Sequence, residues 1–283
     1  DLSKLSMALA VRVAGEVVGL TSSRLPGLEK RLDAFLARDI PALSGHPLTL
    51  ARFLRTQLDL MAFFYLDVRP AIRARKRQPR EDVISHLIAQ GYSDHEILTE
   101  CVTYATAGMA TTREFISVAA WHFLEQPALR ACYLAVPEAE RQEMLQEILR
   151  LEPVVGHLYR RATADIQLES VGEQITIKQG ELIDLHIYAT NADERVVGEQ
   201  PLALCPGRVL RAERVSPAVM GFGDGHHRCP GAYIAIQETD IFLQRLLVLD
   251  SLRIERAPVL GWNDLVPGYE LRSFFISVAP QEA

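Results

Sequence analysis

Apolar side chains recur at helical spacing through the first half of the chain, and the pattern turns to short alternating runs only after Pro153. Apolar residues three and four positions apart line one face of a helix, whereas strict alternation marks a strand. Residues 5–18 show the helical spacing and stop at Gly19, which suits a left-handed C-cap. Residues 28–36 form a second helix, closed by the segment around Pro41 and Pro47. A longer helix runs from 48 to about 76, with Leu54, Leu58, Met61, Phe64 and Tyr65 along one apolar stripe. Residues 81–90 make a short helix ending at Gly91, and Ser93 with Glu96 three positions later spells a capping box for the next one. That next helix, residues 94–124, is the longest. Its middle breaks a local rule, because Gly108 stands there with Thr106, Thr111 and Thr112, all poor helix-interior residues. Pro127 and Pro137 each open a further helix, the second running to Leu151.

After Pro153, residues 164–168, 174–178 and 182–187 alternate or are rich in β-formers, with Gly172 and Gly180 at turns. Residues 190–225 are irregular, rich in Asn, Pro, Gly and Arg. A last helix, residues 230–247, precedes short strands that end near Val278. The reading is one mainly α domain with a small β portion, spanning 1–283. Its parts are a helical section (1–152), strands and an irregular loop (153–221), a loop with its following helix (222–248) and terminal strands (249–283).

Composition changes this picture little. Of 283 residues, 48% are hydrophobic and 23% charged, enough apolar material for a large core. A net charge of −6 argues against a general nucleic-acid binder. The basic clusters Arg73, Lys76, Arg77 and Arg208, Arg211, Arg214 are solvated faces or sites for an acidic partner. No apolar run reaches the roughly 20 residues a membrane span needs, so neither a membrane nor nucleic acid is an expected partner. The chain opens on Asp1 without an initiator methionine, and a section ahead of it is expected. Cys101, Cys132, Cys205 and Cys229 are widely spaced and form no CxxC pair, which fits cytoplasmic thiols rather than a zinc site or a disulfide framework.

One of these cysteines sits in a distinctive neighbourhood. Residues 222–231 read Phe-Gly-Asp-Gly-His-His-Arg-Cys-Pro-Gly. Gly225 permits a tight turn, Gly231 a close backbone approach, and the helix expected from Pro230 favours a thiolate at its N-terminal end. The segment resembles the haem-binding loop of cytochromes P450, F-x-x-G-x-[HR]-x-C-x-G. A glycine-rich loop with a structural cysteine is the competing reading, and it is disfavoured because five defined positions coincide just before a helix. The resemblance implies the P450 fold, N-terminally incomplete, with haem b held by Cys229 as iron ligand, Phe222 shielding the sulfur and His227 facing a propionate.

Other segments resemble the same family in the expected order. Glu147 and Arg150, at i and i+3 on one helix face, match the family's Glu-x-x-Arg pair, and Arg208 stands where a third member completes a structural cluster. The segment from His157 to Ala162 looks like the family's propionate-binding stretch, with Arg160 preferred, Arg161 a close competitor and His157 beside them. Asn191-Ala192-Asp193 resembles the family's Asn-x-Asp turn. The mid-helix anomaly resembles the oxygen-activation stretch: Gly108 leaves room for dioxygen, and Thr111, with Thr112 next to it, assists proton delivery. The family has an acid just before that threonine, and this chain has Ala110. The resemblance therefore implies a haem-thiolate monooxygenase that acts on a small, largely apolar substrate and is fed by a ferredoxin and its reductase. A non-catalytic haem-binding protein, which Ala110 favours, and a peroxide-driven oxygenase are the alternatives.

Overall fold

A computed structural model describes residues 1–36, 47–170, 172–263 and 266–278. Helices dominate up to residue 151: α1 (Leu2–Val18), α2 (Leu28–Leu36), α3 (Pro47–Phe63), α4 (Arg69–Arg77), α5 (Val83–Ala89), α6 (Asp94–Tyr104), α7 (Thr111–Glu125), α8 (Pro127–Ala135) and α9 (Glu138–Leu151). The expected caps are present. Gly19 ends α1 with φ 97°, and Ser93 and Glu96 close a reciprocal capping box at the start of α6. The closing segment near Pro41 lies outside the described residues.

Both long helices expected from the periodicity are interrupted by a wider π-type turn. Residues Phe64–Val68 separate α3 from α4, and Ala105–Ala110 separate α6 from α7. A π turn inserts one residue into the i→i−4 ladder and often marks a functional site. In the second case threonine hydroxyls compete for backbone carbonyls: Thr106 Oγ1 donates to Val102 O at 3.0 Å and Thr111 Oγ1 to Ala107 O at 2.6 Å. The stripe expected to be buried on the 48–76 helix is largely open. Leu54, Leu58 and Met61 are 53%, 65% and 54% exposed, while Phe63 and Val68 turn inward.

Four antiparallel two-stranded ladders follow. Strand β1 (His157–Arg161) pairs β4 (Leu182–His186), and β2 (Ile166–Ser170) pairs β3 (Glu173–Ile177). The expected strands sit within two residues of these bounds, but β1 itself carries no clean alternation in the sequence. Two short helices, α10 (Ile187–Asn191) and α11 (Glu194–Val197), lead into the irregular stretch, and α12 (Ala232–Leu247) follows it. Helix α12 begins two residues later than expected, because Pro230 and Gly231 belong to the loop. Strand β5 (Arg253–Arg256) pairs β8 (Phe275–Ser277), and β6 (Val259–Asn263) pairs β7 (Gly268–Arg272).

Two apolar clusters carry the packing. One joins α1, α4, α5 and α6 and takes in Met109 and Ala110 of the π turn. The other joins α7, α8, α9, α12 and β7 around Phe123, Tyr133, Leu145 and Leu243. The 94–125 rod thus contributes to both. Asp240 on α12 accepts from Tyr133 on α8 and from Arg141 Nε on α9 at 2.8 Å, which fixes α12 against its neighbours. Among the described residues no helix is long and apolar enough to cross a membrane.

Candidate active-site cleft

The irregular stretch that ends in Cys229 is held by buried charge. Glu147 on α9 accepts from Arg150 Nε at 2.7 Å and Nη2 at 2.8 Å, from Arg208 Nε at 3.0 Å and from the Cys205 amide at 3.0 Å. Arg150, whose side chain is fully buried, also donates to the carbonyls of Asn191 and Pro201. Arg208 donates to the carbonyls of Val197, Glu199, Gln200 and Ala203, so it is an inward anchor and no part of a solvated basic face. Buried Asn191 continues the chain of contacts, donating to Arg150 O and accepting the Met220 amide at 2.8 Å. Met220 lies two residues before Phe222. The cluster therefore reaches, bond by bond, to the loop that carries the cysteine.

That loop is shaped by glycine. Gly223 and Gly225 have φ of 66° and 59°, a region that side chains with a Cβ rarely adopt. Residues Gly225–His227 form a single 3₁₀ turn, and the Cys229 amide donates to Phe222 O at 2.8 Å, closing the loop on itself. The Cys229 thiol is half-buried and free. A Cβ placed on Gly231 would lie 3.9 Å from its sulfur, so glycine keeps that flank clear.

Cys229 faces a cleft of about 210 Å³ that opens to solvent. Phe222, His227 and Gly231 line it from the cysteine side, and Ala107, Gly108, Thr111 and Thr112 from the π turn and the start of α7. Phe115, Leu149, Val154 and Leu158 supply much of the apolar wall. Among the described residues, a larger groove along α1 and residues 20–29 is lined by no cysteine or histidine, and its threonine, Thr21, accepts from Arg75. The chemistry converges on the smaller cleft.

Of the residues singled out by sequence, Thr111, Thr112, Gly108, Phe222, His227, Cys229 and Gly231 share this one space, and Gly225 shapes the loop behind it. Strand alternation separates the remaining candidates. Leu158 lines the cleft, and Arg160 leaves β1 on the same side, donating to its own neighbour's carbonyl, Tyr159 O. His157 and Arg161 leave on the other side. His157 Nδ1 pairs with Asp184 at 2.8 Å and its ring packs 4.8 Å from His186, while Arg161 binds Gly180 O. The structure thus does not bring His157 to the cleft.

One residue at this site escaped the sequence reading. Burial pushes the carboxyl of Glu238 on α12 up to about 8, a shift that Thr112 opposes. Among the described residues its Oε2 has no hydrogen-bond partner. An acid among Ala232, Ile234, Ala235 and Ile236 was the available signal.

The residues present fit haem. Among the described residues no group of three His, Cys, Asp or Glu converges to hold a metal ion. A free sulfur on an apolar cleft, cleared on one flank by Gly231 and on the facing helix by Gly108, suits a flat macrocycle.

Comparison with known proteins agrees with this arrangement. Residues 141–254, which hold the Glu147 cluster, the loop and α12, match the family model described as Cytochrome P450. The biotin biosynthesis cytochrome P450 of Bacillus subtilis is 27% identical over 267 residues, 93% of this chain and 61% of that protein. The steroid C26-monooxygenase of Mycolicibacterium smegmatis is 28% identical over 89% of this chain and 60% of its own. Among solved structures, a versatile cytochrome P450 enzyme of Bacillus subtilis superposes with a TM-score of 0.75 at 25% identity, over 96% of this chain and 71% of that one. The chain spans 61%, 44% and 49% of the first three curated relatives it matches. The matched segment holds the cysteine loop and the charge cluster, and the fold superposes on a solved cytochrome P450, so over this core the chain is similar to cytochromes P450.

Proposed function

We propose that the chain holds haem b with Cys229 as the protein ligand to iron and forms the core of a monooxygenase. The observation that carries this reading is the meeting of Cys229 and the widened 105–110 turn across one apolar cleft. When bound, haem with a thiolate ligand supplies one-electron chemistry and dioxygen activation. The chain's own residues do the rest. Phe222 shields the sulfur from water, and Gly231 leaves the macrocycle room. His227 and Arg160 serve the propionates, and Arg160 is favoured over Arg161 because it shares the Leu158 side of β1. Gly108 leaves space on the facing helix, and Thr111, whose hydrogen is given to Ala107 O, offers its lone pairs to a donor in the cleft.

The substrate is a small, largely apolar molecule, in keeping with the walls formed by Phe115, Leu149, Val154 and Leu158. Related proteins are named for biotin biosynthesis and steroid oxidation, and one was solved with an acyl carrier protein bearing hexadec-9Z-enoic acid. Electrons come from a ferredoxin and its reductase. The test feeds the haem-loaded chain through a surrogate ferredoxin with labelled dioxygen and a fatty acid or steroid. Product carrying one labelled oxygen, lost in Cys229→Ala, supports the reading; equal product from the variant sinks it. Ala110 favours a second reading, in which the chain binds haem without turnover, and a third is a peroxide-driven oxygenase. A rate that depends on hydrogen peroxide alone, without a ferredoxin, would select the peroxide route.

A further inference from the structure

The helix wall and the strand wall of the cleft are tied together by a buried carboxylate. Thr111, Thr112 and Phe115 of α7 line the cleft, and Glu114, 3% exposed, turns toward β7. Its Oε2 accepts the Leu271 amide at 2.7 Å, and its Oε1 accepts from Arg272 Nη1 at 2.7 Å and Arg113 Nε at 2.8 Å. Leu271 is fully buried, so its amide has no water to turn to and depends on this oxygen. Hydrogen bonds to a carboxylate are short and directional. They fix a separation between helix and strand that apolar contacts would let slide.

The strand carries that position to the other wall. β7 begins at Gly268, packed so closely on Val154 that a Cβ there would lie 1.8 Å from Val154 O. Just before it, Pro267 O accepts the Gly156 amide at 2.9 Å and the His157 amide at 3.3 Å. One residue further on, Tyr269 donates to Glu152 O at 3.1 Å. Val154, Val155 and Leu158, which belong to the segment so held, line the cleft.

We propose that Glu114 is a positioning residue that fixes the separation of the two cleft walls and so sets how bulky a molecule the cleft admits. It acts through β7 and Pro267 on residues 154–158, without itself meeting cofactor or substrate. The consequence for function rests on the haem reading, because the molecule admitted is one that reaches the iron.

Two measurements test this strut, the first without haem. Hydrogen exchange in the haem-free chain is expected to show the Leu271, Gly156 and His157 amides exchanging faster together in Glu114→Gln. The expected change is about tenfold, the scale of one lost hydrogen bond to a charged group. In the haem-loaded chain, imidazole and 4-phenylimidazole serve as a slim and a bulky iron ligand of the same chemistry, each titrated by the shift of the Soret band. Glu114→Gln is expected to shift the ratio of their dissociation constants about tenfold in favour of the bulky ligand. Imidazole affinity and the carbon monoxide spectrum are expected to stay unchanged. Arg272→Met loosens the same strut from its more exposed end and is expected to move the ratio the same way, which keeps the test open where Glu114→Gln fails to fold. Asp240→Asn breaks a comparably buried ion pair on α12 and is expected to lower stability while leaving the ratio alone. Parental exchange at Gly156 and His157, a ratio within about twofold of the parent, or an equal shift in Asp240→Asn overturns the proposal. Loss of the thiolate spectrum in the unmutated chain overturns the haem reading instead, and the exchange result then decides on the strut by itself.

Discussion

Glutamine in place of Glu147 removes one negative charge from between two buried guanidinium groups while keeping the shape of the side chain. Glu147 and the side chains of Arg150 and Arg208 are 4%, 0% and 8% exposed, so water cannot replace what is lost. Four donors point at the two carboxylate oxygens, two of them from Arg150. A glutamine offers one acceptor oxygen and turns its amide NH2, a donor, toward a guanidinium that also donates. Breaking a buried ion pair by removing one partner costs about 3–5 kcal/mol. Set against a total stability of about 5–15 kcal/mol for a folded protein, that is a large fraction. The assay is urea unfolding of the haem-free chain at pH 7, with hydrogen exchange at the Cys205 and Met220 amides as the local readout. Asp94→Asn is the reference, because its pair with Lys76 is about half exposed on both sides and is worth at most about 1 kcal/mol. A loss below about 1 kcal/mol for Glu147→Gln, equal to the reference, would refute the claim that this cluster braces the cysteine loop.

Further outcomes follow from the same contacts. Glu238 titrates near 8 in the folded chain against an ordinary 4.5, so the folded state keeps a proton that the unfolded state has lost between those values. Its contribution to stability therefore falls as pH rises through that window, by about 1.4 kcal/mol per pH unit, and Glu238→Gln should flatten the profile of unfolding free energy against pH; an unchanged slope would contradict the assignment. Gly268→Ala would bring a Cβ to 1.8 Å from the backbone oxygen of Val154, forcing β7 away from the cleft wall. It should cost about 3 kcal/mol or more in urea unfolding and weaken haem retention, and a variant of parental stability would show the contact to be loose. Arg160→Ala should lower haem affinity in a haem-transfer assay, whereas Arg161→Ala should not; the reverse result would mean that β1 presents its other face.

Most of the architecture was legible because it depends on local chemistry. The capping box at Ser93, the left-handed Gly19 and the start of α8 at Pro127 are decided within a few residues. The loop at Cys229 was legible for the same reason, since positive φ at Gly225 and the spacing to Gly231 are properties of ten consecutive positions. What was missed depends on partners far along the chain. Apolar spacing runs unbroken through the π turns, because inserting one residue shifts the face without changing residue type. The stripe of Leu54, Leu58 and Met61 looks like a core face in the sequence, yet nothing among the described residues covers it. His157 and Arg160 were read as one propionate-binding group, and only the pairing of β1 with β4 shows them on opposite faces. Glu238 was hidden because its burial is set by segments far along the chain and the acid stands in an otherwise ordinary helix.

The central claim is that Cys229 binds haem iron as a thiolate, and the carbon monoxide difference spectrum of the reduced, haem-loaded protein tests it most directly. A strongly red-shifted Soret band, lost in Cys229→Ala, is the predicted result. A band at the ordinary imidazole-type position, or a red-shifted band that survives in Cys229→Ala, would contradict it.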